Sequence, residues 1–237
     1  MPEVGRYTGV DPLANKFAFQ STYSYTGNNP IINIDVQGKY KFPAVYANTY
    51  KRLAAYLKNN VHKDIMGSPH ILQWFLKYSN GNLTPDVVST ATTWDDGSTI
   101  EVVDLPDGIY GHFDNQTGVI KISNILADQL ENASPEDIQA ALYGVFVTLT
   151  HETVHYGDYL DGVGPNSDDG TGYGGEPGIA FMHDVFYSSD VKVGNKTERV
   201  YNSDLDPNKI EDAKIMIYRN KEDGRSDQIP TCFPDGK

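Results

Sequence analysis

Cysteine, long apolar stretches and basic residues are all scarce in this sequence, and each shortage excludes a class of protein. The single cysteine, Cys232, excludes an internal disulfide and a cysteine-ligated zinc site. No apolar run approaches the roughly twenty residues of a membrane span. The polar residues 1–12 predict no signal peptide, so we expect any export to use another route. With 19 basic against 32 acidic residues, the net charge of −13 argues against nucleic acid and anionic membranes as partners.

One short motif carries most of the chemical information in the chain. Residues 150–155 read Thr-His-Glu-Thr-Val-His, which places His151 and His155 four positions apart. On a helix such residues share a face, so both imidazoles can reach one metal ion. Glu152 stands where a carboxylate can act on a metal-bound water without binding the metal. This pattern is the zinc metallopeptidase signature, and it predicts His151 and His155 as zinc ligands and Glu152 as general base.

The motif needs a helix, and the residues before it predict one. Residues 134–137, Ser-Pro-Glu-Asp, read as an N-cap serine followed by proline at the first helical position and acids in the first turn. Apolar residues then repeat at helical spacing, at Ile138, Leu142, Val145 and Leu149. Because other sides of this helix are small or apolar as well, we predict that it is buried.

A catalytic zinc site needs a third protein ligand, and three acidic residues follow the motif. Glu176 opens a second predicted helix after the glycine-rich residues 170–175. Asp161 lies six residues after His155. Some zinc enzymes with the same two-histidine motif take their third ligand from this position. Asp158 lies one turn beyond His155 and is a candidate to orient a ligating imidazole. The spacing alone leaves Glu176 and Asp161 as alternatives.

Further candidates concern the substrate rather than the metal. Tyr159, His183 and Tyr173 are candidates to stabilise a developing oxyanion, and we retain Tyr159 and His183 as predicted catalytic residues. Residues 109–113 and 119–122 read as the two strands of a β-hairpin with a glycine-containing loop. One of these strands is the predicted sheet edge that pairs with an extended peptide substrate.

The remaining pattern predicts the fold class. We expect helices near residues 44–60, 69–79 and 124–130, a strand near 99–105, and a last amphipathic helix over 207–219. Helices before and after a small antiparallel sheet in the chain predict an α+β fold, with a buried active-site helix and a second helix that carries a ligand.

The N-terminal residues carry a resemblance of their own. Residues 5–14, GRYTGVDPLA, and 25–38, YTGNNPIINIDVQG, resemble the end of the core associated with RHS repeats. In that family these segments close a β-cage ahead of a variable toxin domain, which implies a boundary between residues 1–38 and 39–237. Asp11 and Asp35 match aspartates that can support self-cleavage. Val36 and Gln37 depart from the family's usual proline and aspartate, so the resemblance does not establish cleavage in this chain.

The motif region also resembles a known group. His151 to Tyr159 followed by Glu176-Pro177-Gly178 is similar to zincin-like metallopeptidase toxins, and this resemblance implies Glu176 as the third ligand. It further implies a zinc-dependent effector that hydrolyses peptide bonds in a target cell, exported as secretion-system cargo within an RHS cage and accompanied by an immunity protein. The alternative is a non-catalytic binding module with a vestigial site. The acidic charge disfavours a nuclease or a deaminase.

Overall fold

The computed structural model describes residues 42–94, 98–161, 176–193, 196–201 and 204–231, without the side chains of 161 and 188–201. The predicted RHS segment, residues 1–38, lies outside these residues. The helices are α1 (Ala44–Thr49), α2 (Lys51–Asn59), α3 (Val61–Met66), α4 (Pro69–Tyr78), α5 (Pro85–Thr92), α6 (Asn124–Asn132), α7 (Ile138–Asp161), α8 (Pro177–Met182) and α9 (Ile210–Glu222). The strands are β1 (Ile100–Val103), β2 (Gly111–Asp114), β3 (Val119–Ser123), β4 (Ser188–Val193) and β5 (Lys196–Tyr201).

The first helical region differs from its prediction in two ways. The expected helix over residues 44–60 is broken at Tyr50, whose ψ of 72° is not helical, so α1 and α2 are separate. Helices α3 and α5 were not predicted. The start of α5 nevertheless follows ordinary capping rules, because the Thr84 side chain accepts a hydrogen bond from Val87 N–H and Pro85 occupies the first turn.

The three-stranded sheet confirms the α+β class but corrects the expected strand directions. Its order is β1-β3-β2, and the predicted hairpin of β2 and β3 is antiparallel. Strand β1 pairs with β3 in parallel, with Ile100 beside Ile120, so the sheet is mixed rather than antiparallel. Alternation of apolar residues decides which face of a strand is buried, and it carries no information on the direction of the neighbouring strand. The order leaves β2 at an edge of this sheet.

Helix α7 forms the centre of the packing. Every residue from Ala140 to Thr150 is buried, as the sequence predicted for a helix that is apolar on several sides. The predicted cap is also present, because Ser134 Oγ accepts a hydrogen bond from Asp137 N–H at 3.2 Å, although regular helix begins only at Ile138. Although α7 has 24 residues, none of the described helices is long and apolar enough to cross a membrane.

The C-terminal part of the chain closes the fold around α7. Helix α8 continues into a π-helical turn, His183–Tyr187, where the sequence had predicted one continuous helix. The hairpin of β4 and β5 was not predicted, and α9 lies close to its expected position. The chain then returns to α3, where Thr231 Oγ1 lies 2.9 Å from the buried Asp64 Oδ1.

Candidate metal centre

The two motif histidines lie on the same face of α7, near its C-terminal end. Their Nε2 atoms are 3.2 Å apart, and their ring centroids are 5.0 Å apart. This is the arrangement that the four-residue spacing predicts once the helix forms. Because the helix before the motif is buried, the imidazoles project from a fixed backbone rather than from a loop.

Glu176 approaches both histidines from the start of α8. Its Oε1 lies 2.7 Å from His155 Nε2 and 3.8 Å from His151 Nε2. Glu176 is also the N-cap of α8, where its carboxylate accepts hydrogen bonds from Gly178 N–H at 3.3 Å and Ile179 N–H at 2.5 Å. In the described part of the chain, one ligand atom from each of these three residues falls within 4.8 Å of the others, as a metal site requires.

Close packing fixes α8 against α7. A Cβ atom added to Gly178 would lie only 2.7 Å from the His151 ring, so the backbone of α8 rests directly on the imidazole. Deeper in the core, Phe181 stacks on Phe75 of α4 with ring centroids 4.8 Å apart. The start of α8 therefore has little freedom to move away from the histidines.

Strand β2 lies against the motif glutamate. Glu152 is 4% exposed, and the backbone of Phe113 in β2 favours the ionised form of its carboxylate. A Cβ atom at Gly111 would lie 2.5 Å from Glu152 Oε1, so only glycine allows this approach. The motif predicted Glu152, but it did not predict that β2 would lie against this residue. A glycine in a short strand is a known sign of close approach, and Gly111 offered that signal.

Burial moves the pKa values of the motif residues in opposite directions. Burial raises the pKa of the Glu152 carboxyl to about 8, and the nearby charge of Glu176 adds to the rise. Burial lowers the pKa of His151 to about 4, which keeps this imidazole neutral near pH 7. The neutral imidazole is the form that binds a metal.

His155 and Glu176 behave as a pair. Burial lowers the pKa of His155, but the hydrogen bond with Glu176 and the charges of Glu152, Glu176 and Asp158 outweigh it and leave the pKa raised. Burial raises the pKa of Glu176, and the same hydrogen bond together with the histidine charges leaves it lowered. An ionised carboxylate is thus held beside two imidazole nitrogens, which is a suitable donor set for a cation.

The two aspartates after the motif occupy different places. Asp158 is buried at 2% exposure, and its charge acts on His155. The hydrogen bond expected from Asp158 to a ligating imidazole is not formed, because neither His151 Nδ1 nor His155 Nδ1 has a hydrogen-bond partner among the described residues. Asp161 is the last residue of α7, and its side chain lies outside the described residues.

The predicted oxyanion residues have contacts elsewhere. The Tyr159 ring packs edge-on against Phe113 and lies close to Gly118 in the β2–β3 turn. The His183 ring packs edge-on against Tyr187, and burial lowers its pKa. Tyr173 lies outside the described residues. The structure therefore brings together His151, His155, Glu176 and Glu152, and the catalytic roles of Tyr159 and His183 stay predictions.

Comparison with known proteins supplies one match. The family model described as metallopeptidase toxin 3 matches residues 46–187, a stretch that contains the sheet, the motif and Glu176. No curated protein and no solved structure matches the chain at a significant level.

Proposed function

The chain belongs to the metallopeptidase toxin 3 family, and from this premise we propose that it is a zinc-dependent peptidase that hydrolyses peptide bonds in a target cell. The observation that carries the proposal is the convergence of His151, His155 and Glu176 beside the buried Glu152. Two imidazoles and one carboxylate form one of the ligand sets of catalytic zinc, which leaves a fourth position for water.

The spacing of the three ligand atoms supports zinc as the metal. In a tetrahedral site with ligands about 2.0–2.1 Å from the ion, neighbouring ligand atoms lie roughly 3.3 Å apart. The separations here are 3.2, 2.7 and 3.8 Å, which bracket that value. When bound, zinc would lower the pKa of its water towards neutrality and polarise the scissile carbonyl.

Glu152 supplies the proton transfer in this proposal. It accepts a proton from the attacking water and passes it to the leaving amine. The burial that raises its pKa favours a group that can take and release a proton near neutral pH. Tyr159 and His183 remain proposed partners for the developing oxyanion.

The free edge of β2 is the proposed docking strand for the substrate. Ser123 N–H of β3 donates to Tyr110 O, and strand hydrogen bonding alternates along the chain, so the main-chain groups of Gly111 and Phe113 are turned away from β3. An extended peptide that pairs with this edge passes directly over the motif. Main-chain pairing gives affinity with little dependence on side chains.

The description of the family as toxins supports an effector that acts in another cell. We also propose, from the sequence resemblance, that residues 1–38 end an RHS cage that carries the toxin through a secretion system. A producing cell then needs an immunity protein against its own toxin.

The test compares the parent chain with Glu152→Gln, which keeps the size of the side chain and removes the base. Both proteins should hold close to one zinc by elemental analysis. Cleavage of a peptide mixture, followed by mass spectrometry, should fall by about 10²-fold or more in the variant. Zinc binding should weaken as the pH falls, because histidine must be neutral to bind.

Glu136→Gln is the matched control, since Glu136 is an exposed glutamate in the turn before α7. This variant should cleave peptides as the parent does. If the parent holds zinc but cleaves nothing, the alternative of a binding module with a vestigial site is the better description. If Glu152→Gln retains full cleavage, the assigned mechanism is wrong.

A further inference from the structure

A short segment between β5 and α9 lies beside the proposed active site. Thr148 Oγ1 donates a hydrogen bond to Asn208 Oδ1 at 2.9 Å, and Pro207 O would lie 2.9 Å from a Cβ atom at Gly144. Thr148 precedes Glu152 by one helical turn, and both side chains contact Gly111 at the start of β2. The segment therefore borders the site at the end where β2 begins.

Asp206 is hydrogen-bonded within this segment. Its Oδ1 accepts hydrogen bonds from Asn208 N–H at 2.9 Å and from Asn208 Nδ2 at 3.1 Å. These donors are neutral, and no basic side chain of the described residues forms an ion pair with Asp206. The carboxylate is half-buried and so keeps an uncompensated negative charge at this position.

The charge of Asp206 contributes to raised pKa values of two nearby tyrosines. Burial raises the pKa of Tyr110, and the charge of Asp206 raises it further. Burial raises the pKa of Tyr187 as well, with a further contribution from Asp206. The contacts agree, because Asp206 binds Asn208, Asn208 binds Thr148, and Thr148 lies against Gly111 at the beginning of the strand that is proposed to receive the substrate.

The direction of β2 decides which part of a substrate meets Asp206. The strand runs from Gly111, beside Thr148, to Phe113, whose ring packs on Tyr156 and Tyr159. Antiparallel pairing is the slightly more stable arrangement. A peptide that pairs antiparallel with β2 therefore runs from the Tyr156 end towards the Thr148 end, and its residues after the scissile bond pass Tyr110 and Asp206.

We propose that Asp206 is a specificity-determining residue that selects a lysine or arginine among the first two residues after the scissile bond. This inference rests on the peptidase function proposed above. An ionised hydrogen-bond partner in a half-buried position is suited to a basic side chain. The net charge of −13 acts in the same direction, because it attracts basic segments of a substrate to the protein.

The experiment digests a diverse peptide mixture with the zinc-loaded parent, Asp206→Asn and Asp206→Lys, and maps the cleavage sites by mass spectrometry. The parent should favour Lys or Arg after the cleaved bond. Asp206→Asn should reduce the ratio of kcat/KM between matched Lys and Ala peptides roughly ten- to hundredfold, the range for a hydrogen bond to a charged group. Asp206→Lys should shift the preference to Asp or Glu, which a merely structural role would not do.

Glu211→Gln is the matched control, because it removes the same charge from an exposed side chain on the first turn of α9. Its cleavage profile should equal that of the parent. Cleavage by the parent without a basic preference, a preference before the bond instead of after it, or an unchanged profile in both Asp206 variants would each overturn the subsite and leave the peptidase standing. Absence of any cleavage by the zinc-loaded parent would instead remove the peptidase proposal itself.

Discussion

Helices α7 and α8 supply the two sides of the candidate metal centre, and they are held in place by different means. Helix α7 has 24 residues and is buried from Ala140 to Thr150 before it presents its histidines. Helix α8 has six residues, a length that is not stable alone in water. It depends on its own Glu176 cap and on contacts such as that of Phe181 with Phe75.

The difference shows how a site can be built from unequal parts. The positions of the two histidines are set by α7, a helix that is stabilised by its burial in the core. The position of the proposed third ligand, Glu176, is set by α8, a short helix that depends on its cap and on its packing against the rest of the fold. A substitution that disturbs the packing of α8 should therefore lower the affinity for zinc. An equally disruptive substitution on α7 away from the motif should mainly lower the free energy of unfolding.

The largest expected effect comes from Phe181→Ala. Removal of this buried ring leaves a cavity and should lower the free energy of unfolding by about 3–5 kcal/mol, measured by urea denaturation. Leu142→Ala on α7 is the control, with an equally buried side chain and an expected loss of about 2–5 kcal/mol. Only the Phe181 variant should also bind zinc more weakly while folded. Equal zinc binding by the two variants would contradict the proposed dependence of α8 on its packing.

The next effect separates the two roles of Glu176. Glu176→Ala removes both the cap of α8 and the proposed metal ligand. Zinc affinity should fall by more than about 10–100-fold, the loss typical of residues that contact a metal ligand but not the metal itself. Glu176→Gln keeps one oxygen that can accept the shorter capping bond from Ile179 N–H, so α8 should persist while the ionised ligand is lost. Competition with a chelator measures the affinity, and circular dichroism measures the helix. If Glu176→Gln binds zinc as the parent does, the carboxylate is not a ligand.

A smaller loss is expected at Asp158. Its negative charge acts on His155, so Asp158→Asn should weaken zinc binding on the order of 10–100-fold. Asp161→Ala should leave zinc affinity close to that of the parent, since Glu176 is the proposed third ligand. The same chelator competition compares both. A strong loss in Asp161→Ala with none in Glu176→Ala would move the third ligand from α8 to the end of α7.

The smallest effect is expected at the contact between the two helices. Gly178→Ala adds a methyl group 2.7 Å from the His151 ring, which must shift, and zinc affinity should fall about tenfold, within the usual cost of overpacking. Alanine also favours a helix over glycine by roughly 1 kcal/mol, so the free energy of unfolding should change little. A variant that binds zinc normally would show that the imidazole can move without cost.

The α7 side of the candidate metal centre was largely predictable from the sequence. The repeat of apolar residues from Ile138 and the cap at Ser134 predict the helix, and the helix fixes the relation of His151 to His155. Local rules suffice there because all of these interactions span a few residues. The approach of Glu176 depends on a connection of twenty residues, and the resemblance to zincin-like toxins rather than spacing favoured it.

The parts that the sequence did not predict involve contacts between distant residues. Nothing local indicates that β1 pairs with β3 in parallel, since Ile100 and Ile120 would be buried in either direction. The hydrogen bond between Thr148 and Asn208 joins positions sixty residues apart. Gly111 gave a hint of a close approach, but no rule identified Glu152 as the neighbour. Such contacts arise from tertiary packing, which overrides local pattern.

The two carboxylate oxygens of Glu176 have different partners. Oε2 accepts from Ile179 N–H, while Oε1 lies 2.7 Å from His155 Nε2 and accepts the longer hydrogen bond from Gly178 N–H. The oxygen that makes the shorter capping bond is therefore not the one that faces the histidines, so α8 can keep this cap whichever partner Oε1 takes. For the proposed peptidase, this arrangement predicts that folding precedes metal loading, so that the supply of zinc in the surrounding compartment, rather than folding, would set the moment at which activity begins.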